Sequence, residues 1–180
     1  MFTLKDQDRL FLAVLVVVLS IIGGAASVSV ASILENKRFV EATSKILWIV
    51  RTVRSAASAQ RIPSLDPGDD VWAALIQSGQ VSATMDRSLP WGGTLDAHAA
   101  TRNSVRVETF LPSHNCRRIA LYFLSLEPTE LHLLSVAAKP MPNASWSLIY
   151  PLPDAQQVDA AVAACGDELN ARLALTFMIN

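Results

Sequence analysis

LFLAVLVVVLSIIGGAASVSVASIL, residues 10–34, decides how the chain is read: 25 consecutive positions carry no charge. As a helix this run reaches about 38 Å, more than the roughly 30 Å hydrocarbon core of a bilayer. It predicts one transmembrane helix near the start of a bitopic chain. The competing reading is a cleaved secretory signal, whose apolar region spans about 7–15 residues before a small-residue cleavage site. Ala25-Ala26-Ser27 offers such residues, but the apolar pattern continues past them, which favours a retained anchor. Gly23-Gly24 is the weak point of the run: each glycine costs a helix about 1 kcal/mol against alanine, while allowing close helix packing in a membrane.

The pattern does not end in a turn. Phe39, Val40, Ile46, Leu47, Val50, Val53 and Ala57 recur at gaps of three and four, with Lys37, Glu41, Lys45, Arg51 and Arg54 between them. That is the helical period. One continuous helix is therefore expected from about residue 4 to 60, apolar all round in its first half and amphipathic in its second. The organisation reads as a short N-terminal segment (1–9), a transmembrane half (10–34), an amphipathic half (35–60) and a globular α+β domain (61–180).

Ser64-Leu65-Asp66-Pro67-Gly68 is turn chemistry. Asp69 or Asp70 then caps a short helix running to about Gln77, ended by Gly79. Residues 80–103 read as an irregular connection, with Pro90-Trp91-Gly92-Gly93 as a glycine-dependent turn and a short strand from Thr94 to Ala99. Residues 104–110 alternate apolar and polar, which predicts a strand with one buried face. Pro112-Ser113 opens a helix carrying Cys116, Ile119, Ala120 and Phe123. Strands are expected over 131–138, 146–150 and 173–178. Between the last two, Asp154 and Gln157 resemble a capping box, on a helix with Val158, Ala161 and Val162 as its inner face and Gly166 past its end. The expected fold class is α+β: a long N-terminal helix packed on a small antiparallel sheet with short helices.

The net charge is −1, without the basic stripe that a nucleic-acid partner requires. The cysteines number two, Cys116 and Cys165. They form either one disulfide, if the domain occupies an oxidising compartment, or a pair of buried thiols. Lys37, Arg38, Arg51 and Arg54 after the anchor outweigh Lys5 and Arg9 before it, which by the positive-inside rule points to a cytoplasmic domain. The cysteine pair points to the opposite side and is given more weight, because a long domain translocates despite its charge.

The chemistry-bearing patterns are few. His98, His114 and His132 show no i, i+4 spacing, and no second pair joins His114 and Cys116 to make a zinc set. No nucleophile elbow, P-loop or dinucleotide glycine pattern occurs. Asn143-Ala144-Ser145 matches the glycosylation sequon, which matters only in a eukaryotic secretory setting. Trp48, Trp72, Trp91 and Trp146 read as packing residues. No enzyme activity, cofactor or metal is expected.

The order of these features resembles the type IV pilin family, its type IVb branch in particular, over nearly the whole chain. Phe2-Thr3-Leu4 resembles the start of the mature pilin helix, and Pro90-Trp91-Gly92-Gly93 the Pro-aromatic-Gly-Gly turn of that branch. Pro112-Ser113-His114-Asn115-Cys116 resembles the segment where the first cysteine opens a helix. Cys165, Asn170 and Leu173-Ala174-Leu175-Thr176-Phe177 resemble the second cysteine and the closing strand. In that family a leader ending in glycine precedes the mature chain, whose fifth residue is glutamate. Here Met1 stands at the glycine position, the fifth residue from Phe2 is Asp6, and Lys5 replaces an apolar residue.

The resemblance implies a subunit anchored in the bacterial inner membrane with its C-terminal domain in the periplasm. It would meet the pilus assembly machinery there and self-associate through the N-terminal helix into an extracellular filament. Phe2 and Asp6 would be assembly residues, Asp6 pairing with a neighbour's terminal amine. The alternative is a stand-alone anchored periplasmic domain that binds one partner.

Overall fold

The computed structural model describes residues 4–126, 131–141 and 144–179, with side chains from Ala31 onward except Asp154 and Ala155. The fold is α+β. Helix α1 spans Leu4–Ser58 and α2 Val71–Gln77; strands β1 Leu95–Thr101 and β2 Ser104–Pro112 follow, then α3 Ser113–Ser125. Strands β3 Leu133–Pro140 and β4 Ser147–Tyr150, helix α4 Asp154–Cys165 and strand β5 Asn170–Met178 complete the order. The chain divides into two units, Met1–Arg38 and Phe39–Asn180. In the first, the described side chains begin at Ala31; Glu35 and Arg38 approach to 3.9 Å across one helical turn, and Ile33 and Leu34 are exposed.

In the second unit the five strands form one antiparallel sheet in the order β1-β2-β5-β3-β4. The closing strand β5 lies in the middle, paired with β2 (Val107 opposite Leu175) and with β3 (Val136 opposite Leu175). Its central position explains its apolar sequence, since residues on its inner face have a strand on either side. Val105, Val107, Leu111, Val136, Leu173, Leu175 and Phe177 form the inner face and are buried. Against it stand Ala42, Ile46, Ile49, Val50, Val53 and Ala56 of α1, and Cys116, Ile119, Ala120 and Phe123 of α3, all in one hydrophobic cluster. Phe123 meets Phe177 edge to face at 6.0 Å, and Tyr122 meets Phe39 at 5.5 Å.

Several expectations need correction. The strand expected over 94–99 runs Leu95–Thr101, and a tight hairpin at Arg102 and Asn103 joins it to β2. Its inner residues include Ala97 and Ala99, too small to give a strong alternating signal. The third strand begins at Leu133 rather than Leu131, because His132 takes a left-handed φ of 50°. Asp154 is the first residue of α4 and not its cap; Pro153 occupies that position without a side-chain bond. Gln157 instead donates to the Leu152 carbonyl at 2.8 Å.

The inner face of α4 holds at Ala161 and needs correction at its two valines. Gln157, Ala161, Ala164 and Cys165 are buried, whereas Val158 and Val162 are 53% and 43% exposed. Small residues let the helix approach its neighbours closely, and the disulfide at Cys165 fixes which face turns inward. On α1, Val40 is exposed and the buried stripe runs through the alanines 42 and 56 instead.

Candidate functional site

Three local structures stand out, two of them holding residues that the sequence singled out. The first comprises the segments before and after α2. Asp70 caps α2, its Oδ1 accepting from the Trp72 and Ala73 amides at 2.9 and 3.3 Å. Gly68 donates to the Ala99 carbonyl at 2.8 Å and Ala99 to the Asp69 carbonyl at 2.9 Å, which covers part of the outer edge of β1 and blunts it as a template for pairing. The turn Pro90-Trp91-Gly92-Gly93 closes with Gly92 N–H on the Leu89 carbonyl at 2.9 Å and Leu89 N–H on the Gly93 carbonyl at 2.7 Å.

Its two glycines are needed for different reasons. Gly92 has φ +90°, which L side chains rarely adopt. Gly93 lies so close to β2 that an added Cβ would stand 1.8 Å from the Phe110 carbonyl oxygen.

This loop is tied to α1. Lys45 Nζ donates to the Ser88 carbonyl at 2.8 Å and lies 3.7 Å from Asp86 and 3.4 Å from Glu41. The Asp86 carboxyl is held below the usual carboxylate range, chiefly by its hydrogen bonds with Ser88 and secondarily by Lys45. A second tether lies further along α1, where Arg54 donates from Nε to the Met178 carbonyl at 2.9 Å and from its terminal nitrogen to the Leu131 carbonyl. Partial burial pulls the Arg54 guanidinium below its ordinary value. Trp48 stacks on Trp72 with ring centroids 6.4 Å apart, and Trp72 Nε1 donates to the Leu95 carbonyl at 3.0 Å.

The second structure is the disulfide. Cys116 on α3 and Cys165 at the end of α4 are bonded, with Cα atoms 5.8 Å apart and a sequence separation of 49. This resolves the two readings of the cysteine pair. Both cysteines are wholly buried, so the bond belongs to the core. Arg117 reinforces the same junction, donating to the Gly166 carbonyl and the Asp167 carboxylate.

The third is the outer face of the sheet, which sequence reasoning missed. Arg106 pairs with Glu108 at 2.8 Å and Arg172 approaches the same carboxylate to 3.6 Å. Arg106 and Lys139 lie 4.4 and 5.0 Å from the centroid of the Trp146 ring. The spacing of Arg106 and Glu108 placed both on the polar face of β2; what joins them to residues 139, 146 and 172 is strand order, which no local pattern encodes.

His98, His114 and His132 stand on β1, α3 and the lead-in to β3, and are not brought together. Among the described residues no three His, Cys, Asp or Glu side chains are grouped to hold a metal ion. A hollow of about 430 Å³ beside Ile62, Arg102 and Ile179 lacks such a cluster. Phe2 lies outside the described residues, as does the side chain of Asp6, and so does Asn143 of the sequon. Among the described residues no helix is long and apolar enough to cross a membrane; residues 10–30 of the apolar run lie outside those whose side chains are described. Comparison with protein-family models, with curated proteins and with solved structures gives no match.

Proposed function

We propose that this chain is a structural subunit of the type IVb pilin kind. Residues 10–34 anchor it in a bacterial inner membrane with the head in the periplasm, and the assembly machinery then moves it into a pilus or pseudopilus. The observation that carries this reading is the division of labour along α1. Residues 10–34 are an uncharged apolar run in the sequence, and from Ala42 one stripe is built into the core of the α+β unit. An uncharged helical half needs lipid or sister helices around it. Packing many copies side by side supplies the second without lipid. The described part of α1 keeps apolar side chains on its outside, with Val40 60% and Trp48 39% exposed. A charge inside an apolar bundle needs a partner, the role assigned here to Asp6 against a neighbour's terminal amine at Phe2.

The test is the mature N-terminus together with self-contact. Protein isolated from cells should begin at an N-methylated Phe2, and cross-linkers placed through residues 10–60 should join copies in a ladder. An intact Met1 in an unassembled pool, with cross-links to one foreign partner, would instead establish the stand-alone anchored domain.

A further inference from the structure

The disulfide at Cys165 sets the inner face of α4 and leaves two valines on its outside. Valine is a poorer helix former than alanine by roughly half a kcal/mol, yet α4 buries its alanines and turns Val158 and Val162 to solvent one turn apart. Helix α4 and the segments flanking it are acidic in sequence, between Lys139 on one side and Arg172 on the other. Residues 140–171 contain four acids (Asp154, Asp159, Asp167, Glu168) and no Lys, Arg or His. Arg117 from α3 offsets one of them at Asp167.

The outward stripe of α1 is the opposite. Val40, Ser44, Trp48, Arg51 and Ser55 follow one another at helical spacing and are all exposed. Residues 39–61 hold four bases (Lys45, Arg51, Arg54, Arg61) against one acid, Glu41, for a net +3. Each face sets a charge beside exposed apolar residues, Asp159 beside Val158 on α4 and Arg51 near Trp48 on α1, and the two charges are opposite.

We infer that the Val158–Val162 face of α4 docks onto the Val40–Trp48–Arg51 stripe of α1 in a second copy of this chain, with Asp159 meeting Arg51. Opposite charge favours pairing one face with the other over pairing either with itself, so the contact is heterologous. A heterologous contact propagates from copy to copy and closes only if its rotation closes. The inference rests on the subunit reading and specifies which surfaces of the heads meet.

The full chain in membranes or detergent micelles tests it, with a photoactivatable phenylalanine analogue at position 162. Mass mapping should place the adduct of two copies on residues 40–55 of α1. Asp159→Arg should lower the yield about fivefold or more, Arg51→Asp likewise, and the double reversal should restore it. Both positions are exposed, and formation of the Cys116–Cys165 bond in each variant verifies the fold. Adducts between copies that land elsewhere overturn this docking and leave the subunit reading standing. An adduct with a different protein overturns it as well. If position 162 and the α1 probes all fail to join copies, the docking and the subunit reading fall together.

Discussion

Replacing Gly93 by alanine tests the loop geometry most directly. A Cβ there would stand 1.8 Å from the Phe110 carbonyl oxygen and 2.9 Å from its carbon, both in the backbone of a central strand. No side chain can rotate away. Either the turn withdraws by more than 1 Å, breaking the Leu89–Gly93 bond of 2.7 Å, or β2 bends away from β5. Overpacking a core costs typically about 1–3 kcal/mol, and a clash with backbone belongs at the top of that range or above.

Gly92 is the control. Its added Cβ would meet nothing within 4 Å, and its strain comes only from φ +90°, costing about 1–2 kcal/mol. For a unit of this size 1 kcal/mol corresponds to roughly 4 °C. Thermal unfolding of the full chain in detergent, followed by circular dichroism, should therefore show Tm about 12 °C lower or more for Gly93→Ala and about 4–8 °C lower for Gly92→Ala. Equal shifts, or a milder one at Gly93, would refute the close approach of the turn to β2.

Three further outcomes follow from the structure. The disulfide closes a loop of 49 positions, so the Cys116→Ala/Cys165→Ala double variant should lose about 4 kcal/mol by the chain-entropy relation, measured by urea unfolding; an unchanged midpoint would contradict it. Because the folded Asp86 carboxyl is more acidic than its unfolded form, the stability it contributes is complete above the ordinary value of 3.8 and is lost as pH falls through the lowered folded value. A carboxyl NMR titration should show the depressed midpoint, and it should rise in Ser88→Ala if Ser88 is the chief cause through its side chain. Arg54→Met removes two hydrogen bonds from a charged donor to main-chain carbonyls. That should cost about 2–3 kcal/mol and speed amide exchange at Met178, the residue whose own N–H bonds the His132 carbonyl.

The long helix, the short capped helix, the glycine turn and the central strands were all legible, because each rests on a local signal: period, cap or left-handed glycine. Much of what differed on the helices has one physical origin. The reading gave weight to large apolar side chains, whereas this unit builds its closest contacts from alanine. On α1 the expected Ile46, Val50 and Val53 are joined in the core by Ala42 and Ala56, and on α4 Ala164 is buried beside the expected Ala161 while Val158 and Val162 stay outside. Where backbones approach closely, a small residue is buried by its neighbours' bulk and not by its own hydrophobicity. The basic and aromatic outer face of the sheet was illegible for another reason: residues 106, 139 and 172 meet only because β5, last in sequence, is inserted between β2 and β3.

The two tethers on α1 bear on function through geometry more than stability. Lys45 and Arg54 both donate to main-chain carbonyls, at Ser88 on one side and at Leu131 and Met178 on the other. A main-chain acceptor keeps its place when side chains are substituted, so the rotation of α1 about its own axis is held at two points by bonds that surface substitution does not move. Between them the stripe from Ala42 to Ala56 is buried in the core. Fixing that rotation fixes which residues face outward, and Val40, Ser44, Trp48 and Arg51 are those residues. A helix free to roll would present a mixture of faces to a neighbouring copy and lose orientation on contact. Held in this way, it presents Val40, Trp48 and Arg51 in one fixed orientation, which the proposed contact between copies of this chain would require.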